Sequence, residues 1–324
     1  MKRLGTVVSY LYPLLKTIAG MAILIVSSFI LTLTIEDIGK RGKFSDSFTG
    51  SVISPIFTTL PPLVVIILAL VVIGSEPGSE IAAGTIIGEP FMVSAVGFPI
   101  VAITLLISKR RGRQEELDAV LPKMFIFMGL VFPIMLIPLF FNLLAIRISV
   151  AILLVFLYIV FLRFIKGGAR NEEAIDAKIA DLRLLILIAI SGMVFLLAGS
   201  AVLVTGINSL ALKANVNHEL LTILIVPIGT IAPETMNSLI WASRGKTNLA
   251  LGALTGEEMV FATLYPALGI LASQWIITVD GILAIALTSF FSILIGLISL
   301  KFRNALFVFL IFFASFVTFL IFIY

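Results

Sequence analysis

Apolar residues run along this chain in blocks of roughly twenty, the length that crosses a bilayer as a helix. Ten such blocks are predicted as spans: 7–35, 52–74, 82–107, 120–143, 147–165, 183–206, 219–243, 249–273, 275–299 and 304–323. The chain is therefore expected to be an all-α polytopic membrane protein. One long polar stretch, "KGGARNEEAIDAKIADLR" (166–183), interrupts the pattern. Its charges and helix-like spacing read as a solvated linker, 166–182, between a first five-helix half, 1–165, and a second, 183–324. An odd number of spans per half inserts the halves in opposite orientations. Ten transmembrane helices in two inverted five-helix repeats is an architecture that many secondary transporters share.

Composition removes the soluble alternatives. The 324 residues are 60% hydrophobic and 12% charged, with a mean hydropathy of +1.21. A net charge of +4 would suggest nucleic acid in a soluble chain. Here it follows the loops, so no nucleic-acid partner is expected, only the lipid bilayer and inorganic cations. Lys40, Arg41, Lys43, Lys109, Arg110, Arg111, Arg113, Arg170, Lys178, Arg244, Lys246 and Arg303 all fall in loops after odd-numbered spans or at the span edges facing them. The even loops hold little beyond Arg147 and Lys213. By the positive-inside rule the odd loops and the linker are cytoplasmic, and both termini of this multi-pass cell-membrane protein are extracellular. Lys2 and Arg3 argue weakly against this. No small-residue cleavage pattern follows Leu33, so the first span is read as retained. With no cysteine, disulfides, thiolate catalysis and Cys-bound metals are excluded. The single histidine, His218, is read as a loop residue before a helix.

The second and third spans of each half carry a shared pattern. The first half reads "FTTLPPLVV" (57–65) and then "IAAGTIIGEPFM" (81–92); the second reads "GTIAPETMNS" (229–238) and then "LALGALTGEEMV" (249–260). Thr58 aligns with Thr230, Pro61 with Pro233, Gly84 with Gly252, Gly88 with Gly256, and Glu89 with Glu257. Pro61, Pro62 and Pro233 remove backbone donors and should break their helices within the membrane. Broken helices at that depth are tolerated where they line a wet cavity, and their freed carbonyls can hold ions. GxxxG lets two backbones approach closely. Thr230, Glu234 and Ser238 fall at i, i+4 and i+8 with Asn237 beside them, an oxygen-rich face of the kind hard cations prefer.

A carboxylate inside the bilayer is costly and points to function. Glu89, Glu234, Glu257 and Glu258 are the candidates; Glu257 and Glu258 diverge by about 100° on a helix, so one of them is expected to face the centre. Glu76 and Glu80, in "GSEPGSE", are assigned to an outer loop.

These motifs resemble those of the cation/calcium exchanger superfamily, whose sodium/calcium exchangers carry "GTSLPE" on one helix and "GNxxGSN" on the next. "GTIAPE" (229–234) followed by "GALTGEE" (252–258) is a close match; "TTLPP" (58–62) followed by "GTIIGEP" (84–90) is a looser one. The resemblance implies a mid-membrane cation site in which Glu234 is the carboxylate and Thr230 the hydroxyl of repeat two. Thr58 and Thr59 take the hydroxyl positions of repeat one. The pattern departs at Pro62, where repeat one should have its glutamate. Thr85 and Ala253 replace the family's asparagine, and Glu89 and Glu257 its serine. Glu89 and Glu257 are inferred to restore the charge missing at Pro62. The expected cation ligands are thus Glu234, Glu257, Glu89, Thr230, Thr58, Thr59, Asn237, Ser238, Thr85 and Glu258.

The reading is a secondary active antiporter, with no cofactor, exchanging calcium for sodium or protons by alternating access. The thinner set of hydroxyl and amide ligands leaves sodium coupling open, and crowded carboxylates make protons the natural alternative. A divergent exchanger of another cation is the second reading, and a non-transporting membrane scaffold the last. An intramembrane enzyme is not expected, since no Ser/His or Cys/His pair or paired-aspartate motif is present.

Overall fold

The computed structural model describes residues 11–27, 30, 49–110, 117–141, 143–166, 181–214, 217–302 and 306–323, and these are mostly helical, without strands. The basic residues at 111–113 and most of the linker (167–180) fall outside the described residues. In chain order the helices are α1 (Leu11–Ser27), α2 (Ser54–Thr58), α3 (Leu60–Leu68), α4 (Ser75–Ser108), α5 (Val120–Phe140), α6 (Leu144–Lys166) and α7 (Leu182–Ala214). The second half continues with α8 (His218–Thr230), α9 (Ala232–Ser243), α10 (Thr247–Ala262), α11 (Leu264–Ala272), α12 (Val279–Lys301) and α13 (Leu306–Ile323). Six of them, α4 to α7, α12 and α13, are long and apolar enough to cross a membrane, and a seventh crossing arises if the bent pair Gly50–Ile56 and Leu60–Ile73 counts as one. The other stretches expected to cross, around α1, α8–α9 and α10–α11, are shorter or interrupted helices.

Where the helices break follows from proline chemistry. Pro61 and Pro62 bring no N–H to the carbonyls of Phe57 and Thr58, and Pro233 none to that of Gly229. The helix is interrupted at Thr59 in the first half and at Ile231 in the second, two positions that align. The first interruption bends the chain by 41°. The second ends α8 at Thr230, so Thr230 and Glu234 belong to successive helices rather than to the single continuous face expected from their spacing.

Glycines bring the halves together crosswise. Along α4, Gly84 and Gly88 lie against α8; a Cβ on Gly88 would sit 2.7 Å from Ile223 Cα and 2.8 Å from its carbonyl oxygen. Along α10, a Cβ on Gly256 would sit 2.3 Å from the Ser51 carbonyl oxygen, and one on Gly50 would sit 2.8 Å from that of Leu249. Thus α4 of the first half crosses α8 of the second, and α10 of the second half crosses the turn Thr49–Ile53 of the first. Backbones approach this closely only where the crossing residue has no side chain. Around this cross an aromatic cluster joins α4, α5 and α13: Phe98 lies 5.0 Å from Phe125 and 5.3 Å from Phe312, ring centre to ring centre. Long apolar faces on α6 and α7, with Ile152, Phe156, Leu187 and Val194 exposed, suit contact with lipid tails.

Two loop assignments are corrected. "GSEPGSE" is not a loop: α4 begins at Ser75, directly after Gly74 turns the chain at φ +64°. Pro77 is tolerated there because the first turn of a helix needs no donor from it. His218 is the first residue of α8, after Asn217, whose side chain caps the helix by accepting from the Glu219 and Leu220 amides. Its ring Nδ1 lies 3.1 Å from Glu80 Oε2, so His218 and Glu80 tie α8 to α4.

Candidate functional site

Three carboxyl groups, Glu89 on α4 and Glu257 and Glu258 on α10, are fully buried. Each follows a GxxxG crossing, so the feature that presses α4 and α10 against the opposite half also carries its glutamate to the middle of the bundle.

Glu89 meets the second half through Thr230, the last residue of α8, whose hydroxyl is hydrogen-bonded to Glu89 Oε1. The same hydroxyl lies 2.8 Å from the Val226 carbonyl oxygen one turn back. A hydroxyl has one proton. Thr230 can share that proton between the two acceptors, or give it to Val226 and accept from Glu89 when that carboxyl carries a proton. Glu258 meets the first half in a similar way: Ser94, in the π turn Val93–Gly97 within α4, donates to its Oε1. Its Oε2 has no hydrogen-bond partner among the described residues. Ser94→Ala should leave a second buried carboxyl oxygen without a donor and lower stability by roughly 1–3 kcal/mol, read as a lower unfolding temperature in detergent.

The expected hydroxyl ligands are buried, with their protons committed to their own helices. Thr58 donates to the Ser54 carbonyl (3.0 Å), Thr59 to that of Pro55 (2.6 Å) and Thr85 to that of Ile81 (2.8 Å). This leaves lone pairs on each oxygen able to accept. Ser238 on α9 is fully buried, and its hydroxyl has no hydrogen-bond partner among the described residues. Glu234 and Asn237 also fall on α9, with side chains outside those described. Among the described residues no three acidic or histidine side chains converge as a metal cage.

Tyr265 on α11 was not expected. It is buried, its hydroxyl donates to the Thr59 carbonyl oxygen at 2.7 Å, and Glu257 and Glu89 both lie within electrostatic reach of it. The Thr59 carbonyl, at the break in the first half, also accepts from the Leu63 amide at 3.1 Å. By the motif alignment the counterpart of Tyr265 is Gly97, and that of Ser94 is Ala262. Neither residue is duplicated, so comparing the halves gave no signal for them. Thr235 on α9 is a third polar group missed, buried and without a hydrogen-bond partner among the described residues. Among the described residues outside this region, Glu219 is also fully buried. It accepts from the Thr278 amide at 2.8 Å and lies over Gly281, which makes it a cap on the first turn of α12.

The family model described as sodium/calcium exchanger protein matches residues 12–166 and 184–324, nearly the whole chain. The chain belongs to the sodium/calcium exchanger family. Members of this family are transporters, not enzymes, and the two matched segments meet on either side of the polar linker. Two solved exchangers share the fold. The H+/Ca2+ exchanger CAX is 15% identical with a TM-score of 0.67, over 95% of this chain and 87% of its own. The sodium-calcium exchanger NCX_Mj, soaked with sodium and strontium, is 20% identical with a TM-score of 0.65, over 95% and 97%. Among curated proteins the sequence has no match.

Proposed function

We propose that this exchanger is a ten-span antiporter in which residues 1–165 and 183–324 form inverted five-helix repeats. It carries calcium inward or outward against protons. The reading is supported by membership of the family, by aligned helix breaks at Thr59 and Ile231, and by the reciprocal crossings of α4 with α8 and of α10 with the turn Thr49–Ile53. Glu89, Glu234 and Glu257 supply the charge for one divalent ion. Thr58, Thr59, Thr85, Thr230, Asn237 and Ser238 supply neutral oxygens, and Glu258 stands beside them, held by Ser94.

Protons are favoured over sodium because three carboxyl groups, Glu89, Glu257 and Glu258, are fully buried, and Thr230 can accept from a protonated Glu89 while it donates to the Val226 carbonyl. In the cation-free protein, protons on these carboxyls lower the charge of the site and permit the change of access; calcium displaces them because both need the same oxygens. The linker then faces the cytoplasm and both termini lie outside.

Equilibrium calcium binding to purified protein, measured against pH and sodium, tests this. The affinity should fall with acidification by up to about tenfold per pH unit once the site holds a proton. Sodium at constant ionic strength should change it little. Affinity independent of pH but lowered by sodium would assign the counter-ion to sodium instead.

A further inference from the structure

α8 is one helix of 13 residues, and it is tied to α4 at both of its ends. At its last residue the Thr230 hydroxyl is hydrogen-bonded to Glu89. At its first residue His218 Nδ1 lies 3.1 Å from Glu80 Oε2, with the imidazole 12% exposed and the carboxyl 16%. Between the two ties the backbones touch: a Cβ on Gly84 would sit 2.8 Å from the Glu219 carbonyl oxygen. A short helix gripped in this way shifts as one piece, so the tie at His218 helps to place Thr230, about 18 Å along the axis.

His218 is the single histidine of the chain, and histidine is the side chain whose charge changes between pH 5 and 8. Its Nε2 has no hydrogen-bond partner among the described residues, so Glu80 is its polar anchor. The other charged groups on the helices around it are Glu76 on α4, Glu219 on α8, Asp280 on α12, Lys213 at the end of α7 and Lys16 on α1. Glu219 is committed to the Thr278 amide. With a neutral imidazole the tie is a hydrogen bond. With an imidazolium it is an ion pair in a mostly buried place, screened less than a pair in open water.

We infer that His218 is a positioning residue for the cation site: protonated, it clasps Glu80 and holds α8 on α4, so that Thr230 stands beside Glu89 for the ion that both helices bind. Loss of that proton loosens the first turn of α8 and, through the helix, the site. The clasp is strongest in acid and fades as the pH rises through the histidine range. It therefore offsets part of what acid does at the buried carboxylates. On the topology proposed above this end of the bundle faces outside, so external pH sets the clasp. The inference rests on the calcium-binding reading above.

The test is NMR of the full-length protein in lipid nanodiscs with isotope-labelled histidine, whose one imidazole signal is that of His218. The signal is followed from pH 5 to 9, with and without calcium, for the wild type and E80Q. Removing the partner's charge should move the midpoint of the histidine titration down by about one pH unit in E80Q. Saturating calcium should move the wild-type midpoint up by about 0.5 pH unit and leave that of E80Q in place. By reciprocity H218Q should bind calcium about threefold more weakly than the wild type near pH 6, the gap closing as the pH rises. Should H218Q not fold, the calcium affinity of E80Q over the same range decides, with the same loss expected. An E80Q midpoint equal to that of the wild type would mean that no pair forms. A wild-type midpoint indifferent to calcium would leave the pair a structural tie, and one lowered by calcium would put the ion beside the histidine itself. Each of these overturns the inference. A wild type that binds no calcium at any pH overturns the calcium reading, an outcome distinct from a calcium-binding protein whose histidine ignores the ion.

Discussion

Glu257→Gln is expected to abolish calcium transport while leaving the protein folded. The substitution keeps the volume and two polar atoms of a fully buried side chain and removes only the charge. Removing one charge from a tightly paired buried set costs about 3–5 kcal/mol, so calcium affinity should fall at least about a hundredfold. The variant should unfold at a temperature no lower than the wild type, because a neutral amide is easier to keep in a poorly solvated place than a carboxylate. Glu89→Gln should behave similarly in binding, with Thr230 still able to hydrogen-bond the amide. A Glu257→Gln protein with full calcium affinity would remove this residue from the site.

Gly256→Val is expected to damage folding rather than affinity. Its new Cβ would need the position 2.3 Å from the Ser51 carbonyl oxygen, with Pro55 Cγ 2.8 Å away. These are a main-chain atom and a ring, and neither can swing aside. Overpacking a close contact costs about 1–3 kcal/mol even where side chains can shift, and here the helices themselves must separate. The expected result is poor yield of monodisperse protein and a markedly lower unfolding temperature. Gly256→Ala should show the same defect in milder form. Normal stability in both variants would mean that α10 does not cross the π turn at Thr49–Ile53 as described.

The helical architecture was largely legible because two strong signals coincide in it. Apolar blocks of bilayer length mark helices in any membrane protein, and proline at matched places marks where they break. Thr59 and Ile231 interrupt their helices where Pro61, Pro62 and Pro233 remove donors, as the sequence suggested. The GxxxG pairs also do what their spacing implied, at Gly84, Gly88 and Gly256. What the sequence could not supply was the pairing between halves: that Gly88 meets Ile223, and Gly256 meets Ser51, depends on tertiary geometry.

The polar groups divide in the same way. Glu89 and Glu257 stood out because they occur twice at one position in the pattern, and both are buried. Ser94 and Tyr265 occur once, among many serines and aromatics of an apolar chain, and only contacts across the halves distinguish them. Glu80 and His218 were misread for a local reason. Gly, Pro and Ser around Glu80 signal a loop, yet they are compatible with a helix that starts at a glycine turn and holds its proline in the first turn; the polar stretch before His218 reads as a loop, yet Asn217 in it caps the helix that His218 opens.

The most direct test of the central claim is calcium uptake into proteoliposomes of the purified protein, driven separately by an imposed pH gradient and an imposed sodium gradient, with Glu234→Gln and Glu257→Gln beside the wild type. Uptake by the wild type under the pH gradient alone, absent from both variants, is the predicted result. Calcium movement under neither gradient, or movement that survives both substitutions, would contradict a calcium antiporter built on these buried glutamates.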